Sequence, residues 1–243
     1  LSKVRSALYY PLFMFSFAVL VVIFLMVKVI PAISEMFVEQ KKELPLPTEI
    51  VLGISQILQN LWWMIPILIF LGFYIYKRII EKPEGRRKID ELKLKIPFFK
   101  NIYNRLLILR FTQNLGVLLT NKVDLIKSFD IVEKIVGNTV VEEKINESST
   151  MIKEGASVGF ALKKTNFLPK LVLGMITAGE ASDKLDEMLV NIGNVYETEL
   201  DLTISSLTSV IEPVIIVIMG IIIGTIVISV MLPIMEMNTM FGG

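Results

Sequence analysis

The chain has 243 residues, 53% hydrophobic and 20% charged, with a mean hydropathy of +0.63. That is too apolar for an ordinary soluble domain and too charged for a chain held wholly in a membrane. It contains no Cys and no His, which excludes disulfides, thiolate chemistry, Cys/His zinc sites and every acid–base scheme built on imidazole. Neither a Gly-x-x-x-x-Gly-Lys-Ser/Thr phosphate loop nor a Gly-x-Gly-x-x-Gly turn occurs. With only carboxylates, lysines and hydroxyls left for chemistry, no catalytic site, no cofactor and no metal site is expected. No nucleic-acid partner is expected either.

Three apolar runs have the length of membrane helices: Leu12–Ile30, Leu61–Ile80 and Val214–Leu232. The first lies too far inside the chain, and has too few small residues at its end, to be a cleaved signal peptide. The chain does not begin with Met, and Lys3 and Arg5 directly precede the first run, so a longer N-terminal part is expected to precede this sequence. Tyr9 and Tyr10 suit an interfacial belt, and Pro11 suits a first helical turn. Lys28 can extend its stem to the headgroups, and Pro31 is expected to close the helix.

Residues 31–60 are expected to form a helical hairpin outside the membrane. Leu44-Pro45-Leu46-Pro47-Thr48 reads as non-helical, because each proline pushes the residue before it out of the α region. Thr48 is a candidate cap for a helix whose apolar positions are Ile50, Ile54, Ile57, Leu58 and Leu61. Trp62 and Trp63 mark one interface of the second run, and Tyr74 and Tyr76 mark the other. Lys77, Arg78, Lys82, Arg86, Arg87 and Lys88 follow at once, which makes that side cytoplasmic by the positive-inside rule. The N-terminus is then cytoplasmic, residues 31–60 face outward, and the third run carries the C-terminus outside.

The cytoplasmic body should be an all-α antiparallel bundle of about six helices, because helical stripes recur from Phe99 to Tyr196 and no alternating segment appears. Gly155 suits a left-handed helix end. Charge is uneven: residues 77–127 hold 13 Lys/Arg against 5 Asp/Glu, and residues 128–208 hold 7 against 13. The basic half suits an anionic lipid surface.

The stretch that organises the chain begins at Gly179-Glu180-Ala181-Ser182-Asp183-Lys184-Leu185-Asp186-Glu187 and continues as a helical pattern past Glu212-Pro213 into the third run. Asp183, Asp186 and Glu187 suit the first turn of a helix, where the macrodipole favours acids. Glu180 either supports the local turn or makes a polar contact to a partner. Pro213 implies a kink or a fresh helix start, with Glu212 at the cytoplasmic mouth of the span. Gly220-Ile-Ile-Ile-Gly224, extended by Thr225 and Ser229, is a small face that lets another helix approach closely.

Several of these segments together resemble the inner-membrane platform proteins of type II secretion and type IV pilus machines. Tyr10-Pro11, Val29-Ile30-Pro31, Leu44-Pro45-Leu46-Pro47-Thr48, Ile96-Pro97-Phe98-Phe99, Arg110-Phe111-Thr112, Gly137-Asn138, Glu154-Gly155 and Phe167-Leu168-Pro169 run in the order of that family. Gly179-Glu180-Ala181-Ser182 with Leu185-Asp186-Glu187-Met188-Leu189 is the strongest match, and Glu212-Pro213, Gly220/Gly224 and Leu232-Pro233 complete it. The resemblance implies two homologous cytoplasmic domains, of which only the second is in this sequence. It departs at Asp183, where the family usually has Gly, and at Asn121-Lys122, where it usually has a small residue plus Gly; both glycines imply turns.

The resemblance also implies a function without chemistry of its own. The protein would couple a secretion or pilus assembly ATPase to the insertion or extraction of pilin-like subunits, among other inner-membrane machine components, as an expected homo-oligomer in the bilayer. Glu180, Asp186 and Glu187 would touch the partner, while Glu212, Pro213, Gly220 and Gly224 would pack helices. The alternative is a membrane subunit of a solute transporter. Three spans without deep charged residues argue against it, because transport needs polar groups at the midplane.

Overall fold

A computed structural model describes residues 2–32, 46–61 and 63–241, and every element among them is helical. In chain order these are α1 (Ser2–Phe24), a π-helical turn (Leu25–Val29), α2 (Leu46–Leu61), α3 (Met64–Glu81), α4 (Pro83–Lys95), α5 (Pro97–Thr120) and α6 (Leu125–Val136). They continue with α7 (Thr139–Lys153), α8 (Val158–Thr165), α9 (Lys170–Ala181) and α10 (Leu185–Phe241). The all-α class expected from periodicity is the class observed. The chain divides into two compact units, Leu1–Tyr74 with Ile204–Gly243, and Ile75–Thr203.

In the first unit, Tyr9–Ala32 is long and apolar enough to cross a membrane, as is the apolar part of α10 within Leu185–Leu232. Most of the expected second run, Leu61–Ile80, lies in the single helix α3, and α2 with α3 passes as a span when taken as a pair bent by 61°. The first helix includes Pro31, and its described residues end at Ala32. Pro213 does not start a new helix. α10 is one helix of 57 residues, about 86 Å at ~1.5 Å per residue. The Tyr10 hydroxyl donates to Glu212 at 3.4 Å, and at the other end Met26 and Ile30 share a core with Ile226. α1 and the last part of α10 therefore run parallel.

The segment Leu44–Thr48 was expected to be non-helical, but α2 already begins at Leu46. Pro47 is tolerated there because the first N–H groups of a helix have no partner within it. Thr48 is not a cap: its hydroxyl donates to the Ser229 carbonyl at 2.7 Å. The first arm of the expected hairpin falls outside the described residues.

The second unit is a bundle in which successive helices pack through short connections. α4, with eight charges in thirteen residues, adds a helix the apolar pattern did not suggest. Phe111 and Phe129 are fully buried at the centre. Phe111 meets Phe129 edge-on at 6.0 Å between centroids and Phe167 at 5.2 Å, geometries worth ~0.5–1.5 kcal/mol beyond area burial. Leu115, Ile145, Leu162, Ile176, Leu189 and Ile192 close the core around them.

Three helix ends use the same left-handed device, in which two carbonyls of the last turn accept N–H groups from beyond it. After α5, Lys122 has φ +58°, with Lys122 N–H on the Leu119 carbonyl and Val123 N–H on Leu118. After α7 the left-handed residue is Gly155, as its position suggested. After α9 it is Asp183, at φ +57°. The two positions where the resembled family usually has Gly thus adopt the conformation glycine favours, although Lys and Asp occupy them.

α7 is tied to α4 by a polar node. Buried Asp90 accepts from the Thr139 N–H at 3.0 Å, from the Thr139 hydroxyl at 3.1 Å and from Lys93 at 2.9 Å. Asn138, fully buried, caps α7 by accepting from Val140 and Val141 N–H and donates to the Asp90 carbonyl and the Tyr103 hydroxyl. Burial pushes the Asp90 carboxyl up, but the Thr139 bonds and the Lys93 ammonium outweigh it and hold it below the ordinary aspartate range. A lowered carboxyl stabilises the fold above its unfolded pKa, and that stability is lost as pH falls through the folded value. Asp90→Asn should therefore lower the melting temperature of the detergent-solubilised protein at pH 7, with a loss of about 1–3 kcal/mol. The gap to wild type should close below about pH 4. Equal melting at pH 7 would show that the node carries no stability.

Candidate functional site

The acidic turn is built by two helix ends meeting. α9 stops at Ala181, and Asp183 and Lys184 N–H return to the Glu180 and Gly179 carbonyls at 3.3 and 2.8 Å. Gly179 has to be small, since a Cβ there would stand 2.8 Å from the Cβ of Met188 on α10.

Glu180 points away from the turn and into the bundle. Its Oε1 accepts the Val158 N–H at 2.6 Å and its Oε2 accepts the Gly159 N–H at 2.9 Å. Ser157 accepts the Phe160 N–H on its hydroxyl and the Ala161 N–H on its carbonyl. The Val158, Gly159 and Phe160 N–H groups, which have no partner within α8, are thereby satisfied, and the Ala161 N–H makes the first regular helical bond. The carboxylate also lies at the positive end of the α8 dipole, and such charge-assisted bonds are about twice as strong as neutral ones. α8 and α9 touch closely beside it, where a Cβ on Gly159 would come within 2.4 Å of the Thr177 hydroxyl.

The other acids are placed differently. Asp186 is half-buried and accepts from Thr120 at the end of α5 at 3.4 Å. Glu187 is exposed and pairs with Lys184 at 3.5 Å, an exposed pair of the kind worth ~0–1 kcal/mol. The four acids thus do not converge on one point, and among the described residues no group of three acidic side chains is placed to hold a metal ion. Next to the turn, an open groove of about 880 Å³ between α8 and α9 has Lys163 and Lys170 on its rim and Gly159, Gly174, Thr177 and Ala178 on its floor.

The helix-packing candidates also separate. Glu212 accepts from Tyr10 within the first unit. Gly220 and Gly224 face open space in this chain, with nothing within 4 Å of a Cβ at either. Besides Gly159 and Gly179, Gly116 and Gly193 bring helices together: a Cβ on Gly116 would lie 2.9 Å from Val190, and one on Gly193 would lie 3.2 Å from Gln113. Neither was singled out beforehand. They stand four places from Thr112 and Thr120 and three from Val190 and Tyr196, with no second glycine to make a spacing signal.

Residues 111–233 match the family described as type II secretion system protein F. The chain is 34% identical over 235 residues to a type IV pilus assembly protein PilC of Thermus thermophilus, covering 96% of this chain and 58% of that one. It is 33% identical to a type IV pilus assembly protein PilC of Myxococcus xanthus, covering 97% of this chain and 57% of the relative. With a type II secretion system protein F of Aeromonas hydrophila it shares 28% identity, over 98% of this chain and 62% of the relative. The chain spans about 57–62% of the length of these relatives. It belongs to the type II secretion system protein F family.

Truncating Glu180 to Ala leaves the Val158 and Gly159 N–H groups without their acceptor. It should cost about 1–2 kcal/mol and accelerate hydrogen exchange at those two amides, with Glu180→Gln intermediate because one acceptor oxygen remains. Unchanged exchange at Val158 and Gly159 in Glu180→Ala would show that the carboxylate does not hold α8.

Proposed function

We propose that this protein is an inner-membrane platform of a type II secretion or type IV pilus machine. In this reading it transmits the work of a cytoplasmic assembly ATPase to the insertion or extraction of pilin-like subunits, and the ATP chemistry belongs to the partner. Membership of the family supports the reading, together with relatives named for pilus assembly and for type II secretion. The observation that carries it is α10. This single helix starts at the acidic turn with Asp186 and Glu187 and contains the apolar stretch long enough to cross a membrane. A partner that displaces the turn acts on the same helix that contains the apolar stretch.

The proposed contact uses Glu187 and Asp186 directly. Glu180 contributes by setting the position of α8 beside the turn. The basic residues at the end of α3 and after it support a contact on the cytoplasmic side. A photo-crosslinking residue at Glu187, introduced in cells that assemble the machine, should give an adduct with the assembly ATPase and none with proteins of the opposite side. Adducts exclusively on the opposite side would overturn both the orientation and the platform reading.

Gly220 and Gly224 complete the proposal as the face through which a second copy of the chain packs. In lipid, helix association depends on close approach and not on hydrophobic drive, and these glycines are left open by the single chain. A Cys at Gly224 should form a disulfide-linked dimer in native membranes, and Gly220→Leu should abolish that dimer while the protein still accumulates. Undiminished crosslinking in Gly220→Leu would remove the glycine face from the interface.

A further inference from the structure

α2 has three faces. Thr48, Val51, Leu52 and Ser55 are buried. Glu49, Gln56 and Asn60 are exposed and polar along a second strip. Leu46, Ile50, Ile54, Ile57 and Leu61 form a third strip at spacings of four, four, three and four, and this one is apolar yet exposed, Ile50 by 63% and Ile57 by 60%. At 100° per residue the apolar strip covers about 80° of the helix and adjoins the polar strip.

The buried face shows at what depth α2 lies. Ser55 donates its hydroxyl to the Met26 carbonyl in the π-helical turn. Thr48 donates to the Ser229 carbonyl, and Ser229 donates to Pro47 at 3.2 Å and to Thr225 at 2.8 Å. Val51 and Leu52 pack with Met26, Ile30 and Ile226. Met26 and Ile30 belong to the last turns of one span, and Ile226 and Ser229 to the last turns of another. α2 is thus fastened across the ends of two membrane helices, at the boundary of the hydrocarbon. Trp63 follows it, donating its indole N–H to the Asn60 carbonyl at 2.8 Å, and tryptophan favours that same boundary.

We infer that α2 lies in the membrane interface at the end of the spans, with Leu46, Ile50, Ile54, Ile57 and Leu61 on lipid acyl chains and Glu49, Gln56 and Asn60 toward water. A free external arm would hold a row of large aliphatic side chains in water. A lipid occupant removes that cost and matches the adjacency of an apolar and a polar strip typical of interfacial helices. The joint to the spans then consists of hydrogen bonds because apolar contacts alone gain little next to lipid. The inference stands independently of the platform reading.

The chain has no native Cys, so single-Cys variants at Ile50, Ile54, Ile57, Gln56 and Asn60 can be spin-labelled in the full chain. The protein is reconstituted in vesicles of phosphatidylcholine with phosphatidylglycerol, and collision with oxygen, which enters lipid, is compared with collision with a water-soluble nickel chelate. The oxygen-to-nickel ratio should be severalfold higher at 50, 54 and 57 than at 56 and 60. Equal ratios would place the strip in water and overturn the inference. Low collision with both reagents at 50, 54 and 57 would also overturn it, by showing protein, such as a second copy, over the strip. Retention of the wild-type melting temperature by each variant excludes a misfolded origin for either result.

Discussion

A helix leaves its first N–H groups and its last C=O groups without partners, and a bundle of short helices multiplies such ends. Much of the placement in this bundle follows from how those ends are met. Asp124 caps α6, Asn138 caps α7, and Ser157 shares α8 with Glu180 from another helix. Two of these solutions are tertiary. Glu180 reaches from α9 to α8, and Asp90 reaches from α4 to the first residue of α7. Both are buried or half-buried carboxylates met by backbone N–H donors, so each fixes where one helix starts relative to another. The acidic turn inherits its position from these anchors.

The same constraint acts more severely where lipid replaces water. Hydroxyls of Thr48, Ser55 and Ser229 all find carbonyl acceptors, and two of those acceptors lie on another helix near a span end. The π-helical turn at Leu25–Val29 makes this possible, since a wider turn loosens the regular i to i−4 ladder and lets a carbonyl such as that of Met26 accept a side chain. The apolar residues around them, Met26, Ile30, Val51, Leu52 and Ile226, supply shape but little net drive in such surroundings.

Glycine illustrates how one residue type acquires different roles. Gly116, Gly159, Gly179 and Gly193 permit close approach between helices, each with a neighbour within about the contact distance of a Cβ. Gly137 and Gly155 supply positive φ at helix ends. Lys122 and Asp183 adopt the same backbone conformation without being glycine. Asp is among the few residues that visit that region with local hydrogen bonding, whereas Lys has no such compensation and carries strain on the order of 1–2 kcal/mol.

The sequence by itself determined the helical class, two of the spans, the left-handed end at Gly155 and the family, because periodicity, run length and turn chemistry are local and survive without a partner. It also marked Glu180 and the acids around it as a cluster. It could not divide them, since Glu180 finds its donors 21 and 22 residues away while Glu187 finds only its neighbour Lys184. Asp90 was invisible for the same reason: in sequence it is one acid in a charged helix, and only folding brings Thr139 to it. Proline was misread at 47, because the first N–H groups of a helix have no partner to lose, and no fresh helix begins at Pro213, through which α10 runs on. Tertiary structure alone decided which small residues touch and which stay open, because contact depends on what lies opposite, and a single strand of sequence does not say what that is.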